Sequence, residues 1–360
     1  MPIDLSTHPP TALLKSFKVL IPQDPPFRSW FRLKQSVFRE KMGWECGRGG
    51  SDRRPIGNYL AARYADQGEN FLNRDILTGV HTRLGLREPR EVILKDRLFR
   101  NMLTSQTLCF NLFIPQMRDN ALATKIWKAL LPSQVRVVTA VKIEHSPGRG
   151  DPAYGLGDHS AFDAYVEYTN LDGSHGKIAI ETKYTDSFSP PGSQLNERQQ
   201  EILRRSRLYH DRGRKELGAM PTQQLYRTHL LAESLRTKEC PHILYAVFHA
   251  EGDQECAQLL PEYVSALNPE IDINEVFLPC TLERICQLIE PELADSNSDW
   301  LNSFRERYLD WSSRVRKKSI YGDSYETKSS VVRLSDCSVH IHTQEKKDHA
   351  RNRYEASPVV

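Results

Sequence analysis

No run in the 360-residue chain approaches the ~20 consecutive apolar residues that a membrane-spanning helix needs, which excludes a helical membrane protein. The opening MPIDLSTHPP lacks the basic start and apolar run of a secretory signal. Cysteine is sparse: Cys46, Cys109, Cys240, Cys256, Cys280, Cys286 and Cys337 are odd in number, scattered, and form no CxxC pair. That excludes a disulfide framework or a zinc cage and points to reduced thiols in a soluble, cytoplasmic protein. A surplus of one charge is also missing, since 49 Lys and Arg against 46 Asp and Glu leave only +3. Net charge therefore makes no case for nucleic-acid binding, and a basic face would have to come from local clustering. The glycine-rich stretch Cys46–Pro55 is not followed by GK[ST], so it is no phosphate-binding loop. There is no internal repeat.

What is present is ordinary globular composition, 39% apolar and 26% charged, in a chain long enough for one large α/β domain with additions or for two domains. Residues 1–30, with Pro9, Pro10, Pro22, Pro25 and Pro26, read as an extended or loosely packed arm. Residues 44–57 read as a flexible basic loop, and 58–78 and 91–114 as helices. The period then changes. Val135–Glu144 is β-branched and reads as a strand, as do 160–169 and 176–184, the last two joined by the turn residues Asn170-Leu171-Asp172-Gly173. Helical periodicity follows over 195–209 and 221–238, then a strand at 242–249, another helix, a short strand near 276–278, and helices over 281–290 and 298–317. The order helix, strand, strand, strand, helix, strand predicts an α/β sandwich with a mixed central sheet. The chain thus divides into an N-terminal arm and helical extension (1–94), a main domain with C-terminal helices (95–318) and a weakly ordered polar tail (319–360).

The chemistry concentrates in Ser160-Ala-Phe-Asp163 and Lys177-Ile-Ala-Ile-Glu181-Thr-Lys183. Side chains alternate along a strand, so Glu181 and Lys183 share one face while Ile180 and Thr182 take the other. Asp163, on the strand across the hairpin, can approach Glu181. Two carboxylates brought together repel unless a cation lies between them. A hard divalent ion takes one or two carboxylates and keeps several waters. Beside it, an ammonium can hold an attacking water or offset developing charge. These are the groups of metal-assisted phosphodiester hydrolysis. An ExK triplet alone carries little, since about one arises by chance in a chain of this size. Two others, Glu326-Thr-Lys328 and Glu345-Lys-Lys347, lie in the polar tail and serve as controls, with no apolar strand before them. The competing reading of Glu181 and Lys183 is a surface ion pair on an exposed strand.

These segments resemble the PD-(D/E)xK nuclease superfamily and, within it, a bacterial restriction-endonuclease-like group. The resemblance runs from about residue 95 to 232, through Ser105-Gln106, Cys109-Phe-Asn-Leu-Phe113, Glu144-His-Ser-Pro-Gly-Arg149, Ser160-Ala-Phe-Asp163, Ile180-Glu-Thr-Lys-Tyr184, Gln224-Leu-Tyr-Arg227 and His229-Leu-Leu-Ala232. It implies a restriction-endonuclease-like core, Mg²⁺ as cofactor with Mn²⁺ as a substitute, and nucleic acid, DNA foremost, as substrate. Asp163 and Glu181 match the superfamily's metal-binding acids and Lys183 its lysine. Phe162 stands where the motif has proline.

Further residues are candidates with two readings each. Glu144 would be an additional metal ligand, or a strand-end charge facing water. Gln106 would accept from a metal-bound water, or make a helix-capping or core hydrogen bond. Gln224 and Arg227, three apart on one helix face, would support the site, with Arg227 clamping a phosphate; the alternative is a surface arginine paired with an acid. Arg149 would reach a backbone phosphate from its Gly/Pro-rich loop, or simply be solvated. The basic run holding Arg204, Arg205 and Arg207 suits a phosphate-tracking face or a solvated helix face. Cys337-Ser-Val-His340-Ile-His342 has no second half and reads as chance.

The leading expectation is a DNA endonuclease of defence or genome maintenance, with a homodimer left open. A non-catalytic nucleic-acid-binding module on the same scaffold is the alternative. A glycoside hydrolase using the carboxylate pair leaves Lys183 unexplained.

Overall fold

The β-branched and aromatic runs of the middle of the chain pair into one five-stranded sheet. In the computed structural model, residues 3–49, 54–151, 153–188, 195–210, 223–293, 298–312, 314–318 and 329–333 are described. The chain divides into two compact units, Gly68–Arg305 and Met1–Gln67 with Glu306–Val360.

In the first unit, β3 (Val135–His145), β4 (Phe162–Asn170) and β5 (His175–Lys183) form an antiparallel meander. β6 (His242–His249) and β7 (Phe277–Thr281) continue the sheet in parallel. The sheet is therefore mixed, as the sequence predicts. The β4–β5 turn closes where Asp172 Oδ1 accepts from the Ser174 amide and hydroxyl, with Gly173 at φ +91°. A side chain at that φ would be strained.

Helices cover both faces, which is why β5 and β6 read as nearly continuous apolar runs. On one face lie α6 (Ser105–Arg118) and α7 (Asn120–Leu130), where Phe113 and Trp127 stack on Phe248 at 6.3 and 6.1 Å. On the other, α8 (Glu197–Ser206), α9 (Gln223–Glu233) and α10 (Gln254–Ser265) bury Ile202, Leu230 and Leu259 with Tyr165, Ala179, Tyr245 and Val247 of the sheet. Within that core Tyr263 Oη joins His229 Nδ1 (2.7 Å) and Tyr209 Oη (2.6 Å). Burial lowers the His229 pKa to about 3, so the ring is neutral. Pro115 inside α6 has no N–H for the Asn111 carbonyl one turn back. Trp300 Nε1 donates to that carbonyl instead, at 2.9 Å. Residues 68–94, grouped on sequence grounds with the N-terminal extension, lie in this unit. Their helix α4 (Arg74–Gly85) packs so closely that a Cβ on Gly79 would come within 2.4 Å of Ile114 Cγ2.

The second unit differs from the sequence reading. The expected arm over residues 1–30 folds as α1 (Thr11–Ser16) and α2 (Pro26–Lys41), around a core of Leu14, Phe17, Val19, Trp30, Leu33 and Val37. Its prolines begin helices: Pro26 occupies the first helical position, where a missing N–H costs nothing. The expected basic loop at 44–57 supplies a hairpin of β1 (Cys46–Gly49) and β2 (Arg54–Leu60). The helix expected over 58–78 is thereby displaced: strand residues run to Leu60, α3 (Ala62–Asp66) is short, and α4 starts only at Arg74. Gly57 is required here, because a Cβ would lie 2.0 Å from the Phe17 carbonyl oxygen. The helix expected over 91–114 also breaks, at 101–104, between α5 (Lys95–Arg100) and α6, where Thr104 caps the new start. At the other end, the helix expected over 298–317 stops at Tyr308, and β8 (Arg314–Lys318) pairs with β9 (Ser329–Arg333). A strand thus lies in what reads as a polar tail. The two control triplets and the Cys337–His342 motif fall outside the described residues.

Candidate active site

Three acids occupy one row across three strands. The β3–β4 register sets Ile143 against Ala164 and His145 against Phe162, which leaves Glu144 facing Asp163. The β4–β5 register pairs Ala164 with Ile180, so Asp163 in turn faces Glu181 one step on. The row lies at the carboxyl end of β5, where the sheet changes from antiparallel to parallel pairing, the end at which open α/β sheets present their ligands.

Glu181 and Lys183 are buried, 6% and 4% exposed, which removes the reading of a solvated surface pair. Lys183 Nζ lies 3.1 Å from Glu181 Oε1. Gln224, from α9, joins them: its Nε2 donates to Glu181 Oε1 at 2.7 Å and its Oε1 accepts from Lys183 Nζ at 3.1 Å. Phe188 lies under the ammonium, 4.6 Å from ring centre to Nζ. Burial works against the lysine charge, but Glu181 and Asp163 outweigh it and its pKa rises.

Asp163 takes two hydrogen bonds on Oδ2 from Thr182, 2.8 Å from the amide and 2.7 Å from Oγ1. Simple alternation places Thr182 on the face away from the acids, and this expectation is corrected. β4 begins irregularly: Phe162 and Tyr165 stack at 5.8 Å in one cluster, which strict alternation forbids. Asp163 lies within that twist and reaches across to Thr182. Burial, then Glu181 and Glu144, push its carboxyl well above the ordinary range, against the Thr182 bonds.

Glu144 accepts a short hydrogen bond from Gln106 Nε2, and the same nitrogen lies 3.3 Å from the Val92 carbonyl. Its backbone is left-handed, φ +54°, an uncommon state for a residue with a side chain. Arg83 holds it there, donating to the carbonyls of Ile143 (2.8 Å) and Glu144 (3.3 Å) while paired with buried Glu91. Burial pushes the Glu144 carboxyl up to about 7. Cys109 Sγ donates to the Asp163 carbonyl at 3.4 Å, and burial plus the surrounding acids keep it a neutral thiol.

The remaining candidates stand away from this row. Arg227 pairs with Asp158 at 2.7 Å, and Gln199 Nε2 holds the same oxygen at 3.2 Å, so both clasp the loop between β3 and β4. Arg149 pairs with Glu88 (2.7 Å) and donates to the Glu144 carbonyl (3.0 Å), bracing the loop from the other side. Arg204 and Arg205 are exposed in the last turn of α8, where cations complement the helix dipole, and Arg207 is its left-handed cap. Sequence reasoning missed Thr182, Arg83 and Glu91. The Arg83–Glu91 spacing of eight follows neither helical nor strand periodicity, and only the resemblance could have pointed there.

Among the described residues no three His, Cys, Asp or Glu side chains converge as they stand into a ready metal cage. Their oxygens are turned to neighbours: Glu144 to Gln106, Asp163 to Thr182, Glu181 to Gln224 and Lys183. The donor chemistry nevertheless fits a hard divalent ion. One ammonium faces three carboxylates in a largely buried row, and their repulsion is visible in the raised Asp163 and Glu144 values. A Mg²⁺ ion needs only one or two carboxylates and completes its shell with water.

The sequence profile of the PD-(D/E)XK nuclease superfamily matches residues 22–310, most of the chain. No curated protein and no solved structure matches it.

Proposed function

This chain belongs to the PD-(D/E)XK nuclease superfamily, and from that premise we propose that it is a Mg²⁺-dependent DNA endonuclease of defence or genome maintenance, with Mn²⁺ able to replace Mg²⁺. The observation that carries the reading is the buried Glu181–Lys183–Gln224 cluster in register with Asp163 and Glu144. Asp163 and Glu181 would hold the ion, with Glu144 as a third ligand once it leaves Gln106. When bound, the ion supplies charge for a phosphoryl oxygen and acidifies a water.

The chain's own groups do the rest. Lys183 stays charged despite burial, so it brings a fixed positive charge to the point where negative charge develops on the phosphate. Gln224 orients Lys183 and Glu181 together. Thr182 fixes one Asp163 oxygen and leaves the other available. Gln106 positions Glu144. Arg149, Arg204, Arg205, Arg207 and Arg227 would contact backbone phosphates, Arg149 and Arg227 by exchanging their acid partners. The six cysteines of the described residues are free thiols, which supports a reducing, cytoplasmic location. No described helix is long and apolar enough to cross a membrane. A homodimer would supply two such sites for two strands.

The test is incubation of the purified chain with supercoiled plasmid. Nicked and linear products in Mg²⁺ but not in EDTA are expected. Binding of nucleic acid without cleavage in either would favour the non-catalytic scaffold instead.

A further inference from the structure

Charge is divided between the two units. Residues 68–305, which carry the acid row, hold 27 Lys and Arg against 32 Asp and Glu, a net −5. Residues 1–67 and 306–360 hold 22 against 14, a net +8. The modest +3 of the whole is the difference between two opposed charges. A net-acidic unit does not attract a polyanion, whereas a net-basic one raises its local concentration and speeds its capture.

The basic surplus is densest at β8, Arg314-Val-Arg-Lys-Lys318, with four cations in five residues. Its partner β9, Ser-Ser-Val-Val-Arg333, adds a fifth, and neither strand holds an acid. The register sets Arg314 directly opposite Arg333. Like charges so placed weaken a strand pair, and a two-stranded ribbon is marginal to begin with. Lysines on a strand edge guard against edge-to-edge association, but that use gives no reason to set arginine against arginine. A line of phosphates would turn the repulsion into attraction. The β1–β2 hairpin of the same unit carries exposed Arg48 and Arg54.

We infer that the unit of residues 1–67 and 306–360 is a second nucleic-acid contact, in which the β8–β9 ribbon neutralises backbone phosphates without reading sequence. The inference rests on the nuclease reading of the Asp163–Glu181–Lys183 site. Affinity and salt dependence would then come largely from this unit and bond cleavage from the other.

The experiment measures binding of the full chain to a short fluorescent DNA duplex in EDTA, across a salt series. Replacing Arg314, Arg316, Lys317 and Lys318 together by Gln should weaken binding. It should also flatten the slope of log K against log salt by about three to four, at ~0.9 for each phosphate no longer neutralised. Arg314→Gln alone removes the arginine opposition, so it unfolds no more readily than wild type and should flatten the slope by about one. The control, Lys125→Gln with Lys128→Gln on exposed positions of α7, should leave the slope unchanged. An unmoved slope in the fourfold and single variants overturns the inference and leaves the nuclease site untouched. Ribbon-dependent capture of phosphatidylserine vesicles, with the DNA slope unmoved, overturns it in favour of a lipid contact. Failure of the wild type to bind or cut any nucleic acid would instead refute the reading of the site.

Discussion

Gln224 is the residue whose role the geometry defines most sharply. It donates to Glu181 at 2.7 Å and accepts from Lys183 at 3.1 Å, so one amide orients an acid and a base of opposite charge. Gln224→Leu keeps the volume and removes both bonds. A hydrogen bond to a charged group contributes about 1.5–3 kcal/mol. The direct Glu181–Lys183 contact at 3.1 Å survives, so the expected loss is that of about one such bond. If it is felt mainly in the transition state, cleavage slows about ten- to a hundredfold, at ~1.36 kcal/mol per decade. The assay is single-turnover plasmid cleavage across a Mg²⁺ series, with thermal unfolding measured in parallel. Beyond the slower rate, the Mg²⁺ concentration for half-maximal rate should rise, because Glu181 loses the donor that aims it. A merely structural role would lower the unfolding temperature without moving that midpoint. A leucine variant that is folded and cleaves at the wild-type rate throughout the Mg²⁺ series would refute the reasoning.

Two further outcomes follow from the same geometry. Burial raises the Glu144 carboxyl from 4.5 to about 7, so the folded chain holds a proton there that the unfolded chain releases. Metal-free stability should therefore fall as pH rises from about 4.5 through 7, and Glu144→Gln should gain on wild type across that window by about 1–3 kcal/mol; unfolding curves at pH 5 and pH 8 that differ equally between the two proteins would contradict this. Tyr263→Phe strips His229 Nδ1 and Tyr209 Oη of a shared partner deep in the core, and should cost about 1–3 kcal/mol. Calorimetry should find the melting temperature several degrees lower, at about 2–4 °C per kcal/mol, and an unchanged value would show that the buried hydroxyl network is not contributing.

The central sheet was legible because its strands announce themselves. Val135–Glu144, 160–169, 176–184 and 242–249 are β-branched or aromatic and bounded by turn residues, and the Asp-Gly turn ties two of them into a hairpin. The pattern fails where local chemistry carries two meanings. Proline near the N-terminus suggested an extended arm, yet Pro25 and Pro26 open a helix whose Trp30, Leu33 and Val37 are buried. β1 is Cys-Gly-Arg-Gly, with no β-forming residue to signal it, and it exists because β2 pairs with it. Within the site, strand spacing brings Glu181 and Lys183 together. The twist at the start of β4, which turns Asp163 to Thr182, depends on how Phe162 packs on Tyr165 and leaves no trace in spacing. The loop arginines illustrate the opposite limit, since Arg149 and Arg227 look free in sequence and are each paired with a distant acid.

The most direct test of the account separates holding the ion from doing the chemistry. Lys183→Ala and Asp163→Ala are compared with wild type for Mg²⁺ binding by calorimetry and for plasmid cleavage, with Glu326→Ala and Lys328→Ala as the look-alike control. Loss of cleavage with Mg²⁺ binding largely kept is expected for Lys183→Ala, and loss of both for Asp163→Ala, because the acids bind the ion and the ammonium stabilises developing charge. The control should match wild type in both measurements. Undiminished Mg²⁺-dependent cleavage by a folded Lys183→Ala protein would contradict the account.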